Sequence, residues 1–209
     1  MRRLYFVALI AVVLAGGHSN AQETRTASIA NPALRRELLE RLEKDQAIRD
    51  EMIAKGAFQP EGPLFKRMIE VDSKNTARMR DIVRQYGWPG PELVGKDGTE
   101  AAFLLVQHAE HSFQKEMLPL VTEAYHAHKL SGQNYALLLD RVLVGDGKPQ
   151  IYGTQAKGVD KWNGHEPVFD PIEDEANVDR RRAEVGLPPM AEYVKALKEV
   201  YFPKDKHRM

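Results

Sequence analysis

Residues 38–53 read LLERLEKDQAIRDEMI, with the spacing of an amphipathic helix. At about 100° per residue, Leu34, Leu38, Leu42 and Met52 share one side of a helix expected to run from about Pro32 to Lys55 and to stop at Gly56. Asp45 and Arg49 fall on that same side. Charged side chains rarely sit in an apolar stripe without a partner, so the pair raises the question of what meets it.

The helical pattern repeats along the chain. A second helix is expected over about Leu64 to Tyr86, closed by Gly87-Trp88-Pro89-Gly90-Pro91, with Asp72 or Ser73 placed to cap a fresh helix after a break near residue 72. A third helical region is expected from near Thr99 to about His128, kinked or divided by Pro119. Ser131 is the expected cap of a fourth helix, which packs Tyr135, Leu138, Leu139, Val142 and Leu143 and ends at Gly145-Asp146-Gly147. QIYGTQ (150–155) and EPVFDPI (166–172) are short and rich in aromatic and β-branched residues, which predicts a small β-hairpin with a long polar tip. Two last helices follow, about Glu173 to Glu184 and Pro189 to Tyr201. The expected fold class is mostly α: a single helical domain over 32–202 with a small β-hairpin near its C-terminal third, a flexible lead at 22–31 and a frayed tail at 203–209.

The chain opens MRRLYFVALIAVVLAGGHSNAQE. Two arginines, an apolar run and the small triplet Ser19-Asn20-Ala21 have the form of a secretory signal peptide over residues 1–21, cleaved after Ala21. The run is shorter than the roughly 20 apolar residues of a spanning helix, so the expectation is an exported protein, periplasmic or released, with no membrane span in the mature chain. There is no cysteine, which excludes disulfides and a lipid-modified N-terminal cysteine. Removing 21 of 209 residues leaves 188, with 28 Lys+Arg against 30 Asp+Glu, a formal charge of −2. That balance argues against nucleic acid as a partner, and the length suits one domain with a sizeable core. No motif designates a cofactor or a protein partner.

Asp45 and Arg49 form an i, i+4 pair, worth only about 0.2–0.5 kcal/mol on a surface. Buried, such a pair is either satisfied inside the bundle or serves a cleft. LLVQHAEHSFQ (104–114) sets Gln107, His108, His111 and Gln114 along one stripe flanked by Leu104 and Leu118. H-x-x-H without a third ligand makes a poor metal site, so no metal is assigned; the plainer expectation is one hydrogen-bonded core histidine and one on the surface. Asp140-Arg141 lies on the flank of the fourth helix. Strand alternation sends Gln150, Tyr152 and Thr154 to one face and Gln155 to the other, with Gly153 open to close approach. GDGK at 145–148 lacks phosphate-loop spacing, Asp179-Arg180-Arg181-Arg182 reads as a solvated helix face, and Ser112 and Ser131 lack a nucleophile elbow.

DQAIR, VDSKN, GWP, QHAEHSFQ, LLLDRV and QIYGTQ, in this order, resemble the bacterial domain-of-unknown-function family 6624 over about Leu38 to Tyr201. The resemblance implies weight on Asp45, Gln46, Arg49, Asp72, Asn75, Trp88, Gln107, His108, Gln114, Asp140, Arg141, Tyr152, Thr154 and Gln155, but not on His111. It carries over no activity.

Two functional expectations stand side by side. In one, helices converge on a polar pocket around Asp45, Arg49, His108, Asp140 and Gln155 that takes a small polar or anionic ligand. There Arg49 clamps the ligand, Asp45 orients it, and Gln46, Gln107, Arg141, Tyr152 and Thr154 add contacts. His108 is the first candidate for acid–base catalysis, with Asp45 and Asp140 beside it. In the other, the same groups only lock the helix packing of a non-catalytic structural or protein-interaction module.

Overall fold

The side chain of Asn31 accepts the N–H of Leu34 at 3.0 Å, and Pro32, which has no N–H to satisfy, follows it in the first turn, so α1 (Pro32–Lys55) begins with a cap and a proline. Gly56, at φ +58°, ends it in the left-handed conformation that glycine adopts without strain. The computed structural model describes residues 29–202. The expected signal segment 1–21, residues 22–28 of the lead, and the tail 203–209 lie outside the described residues.

Among the described residues the helices are α1, α2 (Pro63–Tyr86), α3 (Pro91–Gln107), α4 (His111–His126), α5 (Gly132–Gly145), α6 (Val178–Glu184) and α7 (Met190–Tyr201), with 3-10 turns at Val159–Lys161 and Glu175–Asn177. The domain is thus mostly helical, as expected, and no helix in it is long and apolar enough to cross a membrane. α3 is its axis. Ala101 through Gln107 are all buried, which is why this segment reads as an unbroken apolar run rather than an amphipathic one. Leu34 and Leu38 of α1, Met79 and Ile82 of α2, Phe113, Met117 and Val121 of α4, and Leu138 and Val142 of α5 close around it. Each such side chain contributes roughly 1.5–3 kcal/mol by leaving water. Beyond this core, Ile48 and Met52 of α1 pack on Phe65 and Met68 of α2.

Between α2 and α4 three features depart from the expectations. α2 runs unbroken through residue 72, because Phe65, Met68, Asp72, Asn75, Met79 and Ile82 continue a single inward stripe and the Asp72 side chain is turned toward α1 rather than toward a helix start. α3 begins at Pro91, ahead of Thr99, with a bend at Gly95 (φ +75°, ψ 166°) that the Thr99 hydroxyl closes by donating to the carbonyls of Pro89 and Gly95, both at 3.0 Å. The third helical region does divide, but at His108–Glu110 instead of Pro119. Pro119 sits on the exposed side of α4, and the carbonyl it leaves without a donor belongs to Lys115, which is exposed as well.

The expected β-hairpin is not formed. No strand occurs among the described residues; Gln150 with Ile172, Ala156 with Phe169 and Asn163 with Glu166 make isolated bridges. The two segments do lie together, yet the groups a ladder would use are taken by side chains. Asp140 accepts the N–H groups of Ile151, Tyr152 and Thr154, and the Gln150 amide donates to the carbonyls of Gln155 and Asp170. Arg182 also departs from the solvated face expected for it. It is 1% exposed and donates to the carbonyls of Pro188 at 2.6 Å and Tyr152 at 2.7 Å, pinning the same loop from below.

Candidate functional site

The polar residues of α1 recur every fourth position, at Glu37, Arg41, Asp45 and Arg49, beside the apolar stripe of Leu34, Leu38, Ile48 and Met52. α2 answers them in the opposite direction. Arg78 grips Glu37 with two bonds of 2.8 Å, Arg41 Nη1 reaches Asn75 Oδ1 at 3.3 Å, and Arg49 Nη2 lies 2.9 and 3.0 Å from the two oxygens of Asp72. The two charges in the opening stretch therefore belong to a polar seam between antiparallel helices. Its inner end is dry: Asp45 is fully buried, and the side chains of Arg49 and Asp72 are each 11% exposed.

α3 brings the third component. The turn between α3 and α4 is held by Gln114, whose amide donates to the carbonyls of Gln107 at 2.8 Å and Ala109 at 2.9 Å, meeting acceptors that the end of a helix leaves open. That turn points His108 at α1, with Nδ1 2.8 Å from Asp45 Oδ2. The same oxygen accepts Gln46 Nε2 at 2.8 Å, and Asp45 Oδ1 accepts Arg49 Nη1 at 2.8 Å. Asp45 thus joins α1, α2 by way of Arg49, and α3.

Arg141 arrives from α5. The Leu137 carbonyl accepts the amides of Gln107 (3.4 Å) and Gln155 (3.3 Å), which fastens the end of α3 to the turn of α5 that precedes Arg141. Arg141 follows one turn later, near enough for its charge to act on His108 and to be felt by Arg49 and Asp72. His108 Nε2, Gln107 Oε1, and Arg141 Nε and Nη2 are sealed from solvent with no hydrogen-bond partner among the described residues.

Asp140 points the other way. Its carboxylate accepts Ile151 N at 2.7 Å, Tyr152 N at 3.1 Å, and Thr154 N and Oγ1 at 3.0 Å each. Gln155 closes on the Thr154 hydroxyl at 2.9 Å, and the Tyr193 hydroxyl donates to the Thr154 carbonyl at 2.8 Å. This is a loop clamp, with its acceptor oxygens filled.

The charges at the centre separate by surroundings. Burial works to raise the pKa of Asp45, but His108, Arg49 and Gln46 outweigh it and hold the carboxyl below its usual range. Arg49 is the cation hydrogen-bonded to Asp72, but burial outweighs it and, reinforced by the negative Asp45, pushes the Asp72 carboxyl up to about 7. Burial together with the positive charges of Arg49 and Arg141 lowers His108 to about 4 against the pull of Asp45. Burial lowers Arg141 to about 10, so it stays charged at neutral pH. Burial raises Asp140 despite its hydrogen bonds, and pushes the Tyr152 hydroxyl up to about 12.

The structure therefore brings together Asp45, Gln46, Arg49, His108, Gln107 and Arg141 at one centre, and gathers Asp140, Tyr152, Thr154 and Gln155 at the adjoining clamp, with Gln155 reaching the carbonyl that Gln107 also uses. His111 is apart from both, at the surface, with Nε2 2.9 Å from Asp146 Oδ1. Among the described residues no group of three or more His, Cys, Asp or Glu side chains is placed to hold a metal ion. Asp72 is the member that reading the residues one by one undervalues. The signal for it is its place in the α2 stripe, four residues after Met68 and seven before Met79.

No curated protein and no solved structure matches the chain. Residues 32–206 match the model of a family of unknown function, DUF6624, so the match covers every element of the fold and both polar clusters, and the chain belongs to that family.

Proposed function

We propose that this is an exported protein whose buried polar centre binds a small polar or anionic ligand at His108 and Arg141. Asp45, Arg49 and Asp72 hold His108 in place from behind. One observation carries the reading: His108 Nε2 and the Nε and Nη2 atoms of Arg141, whose charge acts on that imidazole, are buried without hydrogen-bond partners among the described residues. A buried donor left unpaired costs about 1–3 kcal/mol, and more when charged, so such groups call for something that completes them. The surroundings also suit proton transfer. Asp45 orients the imidazole as a carboxylate orients a general base, and Asp72 changes charge near neutrality.

A second reading, the structural or protein-interaction module, is favoured by a different observation. Asp45, Arg49, Asp72 and Gln46 already satisfy one another, and the oxygens of Asp140 are filled by its own loop. A thermal-shift screen of small carboxylates, phosphate and polar metabolites separates the two. Ligand binding predicts a rise in melting temperature that folded Arg141→Met and His108→Ala variants lose. If no compound stabilises the parent and both variants unfold, the structural module is the better account. Export is tested separately, by the mass of the secreted protein, which is expected to begin at Gln22.

A further inference from the structure

The hydrogen bonds around Asp45 settle which ring nitrogen of His108 carries the proton. Arg49 Nη1 and Gln46 Nε2 donate to the two oxygens of Asp45 and, with His108, hold its carboxyl below the usual range, so the carboxylate is ionised and Nδ1 is the donor in the 2.8 Å contact with Asp45 Oδ2. With the side chain only 3% exposed and two cations nearby, the ring is neutral. Its second nitrogen, Nε2, is then a bare lone pair. The Gln107 amide donates to Leu137 through Nε2, which leaves its Oε1 as another lone-pair site at the same end of α3.

This end of the centre accordingly offers two unlike needs: buried acceptors on α3 that require a donor, and on α5 the buried Nε and Nη2 of Arg141, whose charge acts on the same imidazole and which require an acceptor. A simple anion meets only the second, and would set its own lone pairs against Nε2. Resting on the binding reading above, we propose that the ligand is a small hydroxylated carboxylate, whose O–H donates to His108 Nε2 and whose carboxylate takes Nε and Nη2 of Arg141.

Glycolate and acetate, which differ by that one hydroxyl, test this by calorimetric titration of the full chain. Glycolate is expected to bind about tenfold more tightly than acetate, a difference of roughly 1.4 kcal/mol. His108→Leu should bind the two alike, and Arg141→Met should bind neither. Equal affinities in the parent, or a glycolate preference that persists in His108→Leu, overturn the hydroxyl assignment and leave an anion site standing. Absence of binding by either compound to the parent, or full binding by Arg141→Met, counts against the binding reading itself. Should His108→Leu fail to fold, ¹⁵N NMR of the parent supplies the same information. The Nε2 signal is expected in the unprotonated range and to move with glycolate but not with acetate; a protonated Nε2 in the free protein overturns the assignment.

Discussion

Arg49 reaches across the α1–α2 seam to Asp72, with Nη2 at 2.9 Å from one oxygen and 3.0 Å from the other, while its Nη1 stays on Asp45 at 2.8 Å. One cation serves two buried acids. Arg49→Met leaves them facing each other, and the expected loss of stability is about 3–5 kcal/mol. Adding Asp72→Asn in that background should restore more than half of the loss, since the repulsion then disappears. Urea unfolding of the two single variants and the double variant measures the coupling; an Arg49→Met protein as stable as its parent would show that the seam contributes nothing.

Asp72 and His108 respond to pH with opposite signs. The Asp72 pKa rises on folding from 3.8 to about 7, so its contribution is whole below 3.8 and is lost as pH climbs through 7. The His108 pKa falls from 6.5 to about 4, so its contribution is whole above 6.5 and is lost as pH drops through 4. Between about 4.5 and 6.5 the two oppose each other, at up to about 1.4 kcal/mol per pH unit apiece. Asp72→Asn should therefore gain stability with rising pH across this window, and His108→Gln should lose it. Urea midpoints at three pH values decide the matter, and parallel profiles for both variants would refute the opposition.

Asp140→Asn replaces an acceptor by a donor among three backbone N–H groups. A loss of about 2–4 kcal/mol is expected, from several charge-assisted bonds and one new unpaired donor. Hydrogen exchange should speed up at Ile151, Tyr152 and Thr154 well before it does in α1. Unchanged protection at those three amides would mean that Arg182, Gln150 and Tyr193 hold the loop without the carboxylate.

Gln114→Ala removes the amide that closes the α3–α4 turn. The expected cost is about 1–3 kcal/mol for two buried carbonyls left open. Its more telling effect is on His108, whose ring the turn aims at Asp45: the Nδ1 proton signal should broaden or shift in the variant. A Gln114→Ala protein with an unaltered His108 signal would place control of the ring elsewhere.

How far the sequence reveals this arrangement depends on the range of each cause. The limits of α1 are legible because an Asn-Pro start and a glycine stop act within one turn, and the conflict of Asp45 and Arg49 with their apolar neighbours is visible in the same stretch. The unbroken course of α2 is not, because an aspartate after a run of apolar residues looks locally like a cap; only Arg49, 23 residues away in the chain, gives it another use. The loop at 150–155 has the composition of a strand, and its neighbour at 166–172 is rightly placed beside it. That neither becomes a strand follows from a carboxylate 11 to 14 residues upstream, which no local pattern announces. Arg182 is obscured in the same way, since three successive arginines look like surface until the loop that Arg181 and Arg182 support is in place.

The order of charges along the seam also discriminates among ways the first two helices could be laid together. Sliding α1 by one turn in one direction would set Arg41 against Arg78, and in the other would bring Asp45 against Asp72. Leucines alone tolerate such slippage, because one apolar contact resembles the next. A row of alternating signs does not, so the hairpin of α1 and α2 carries its own alignment mark, readable before the rest of the bundle has gathered.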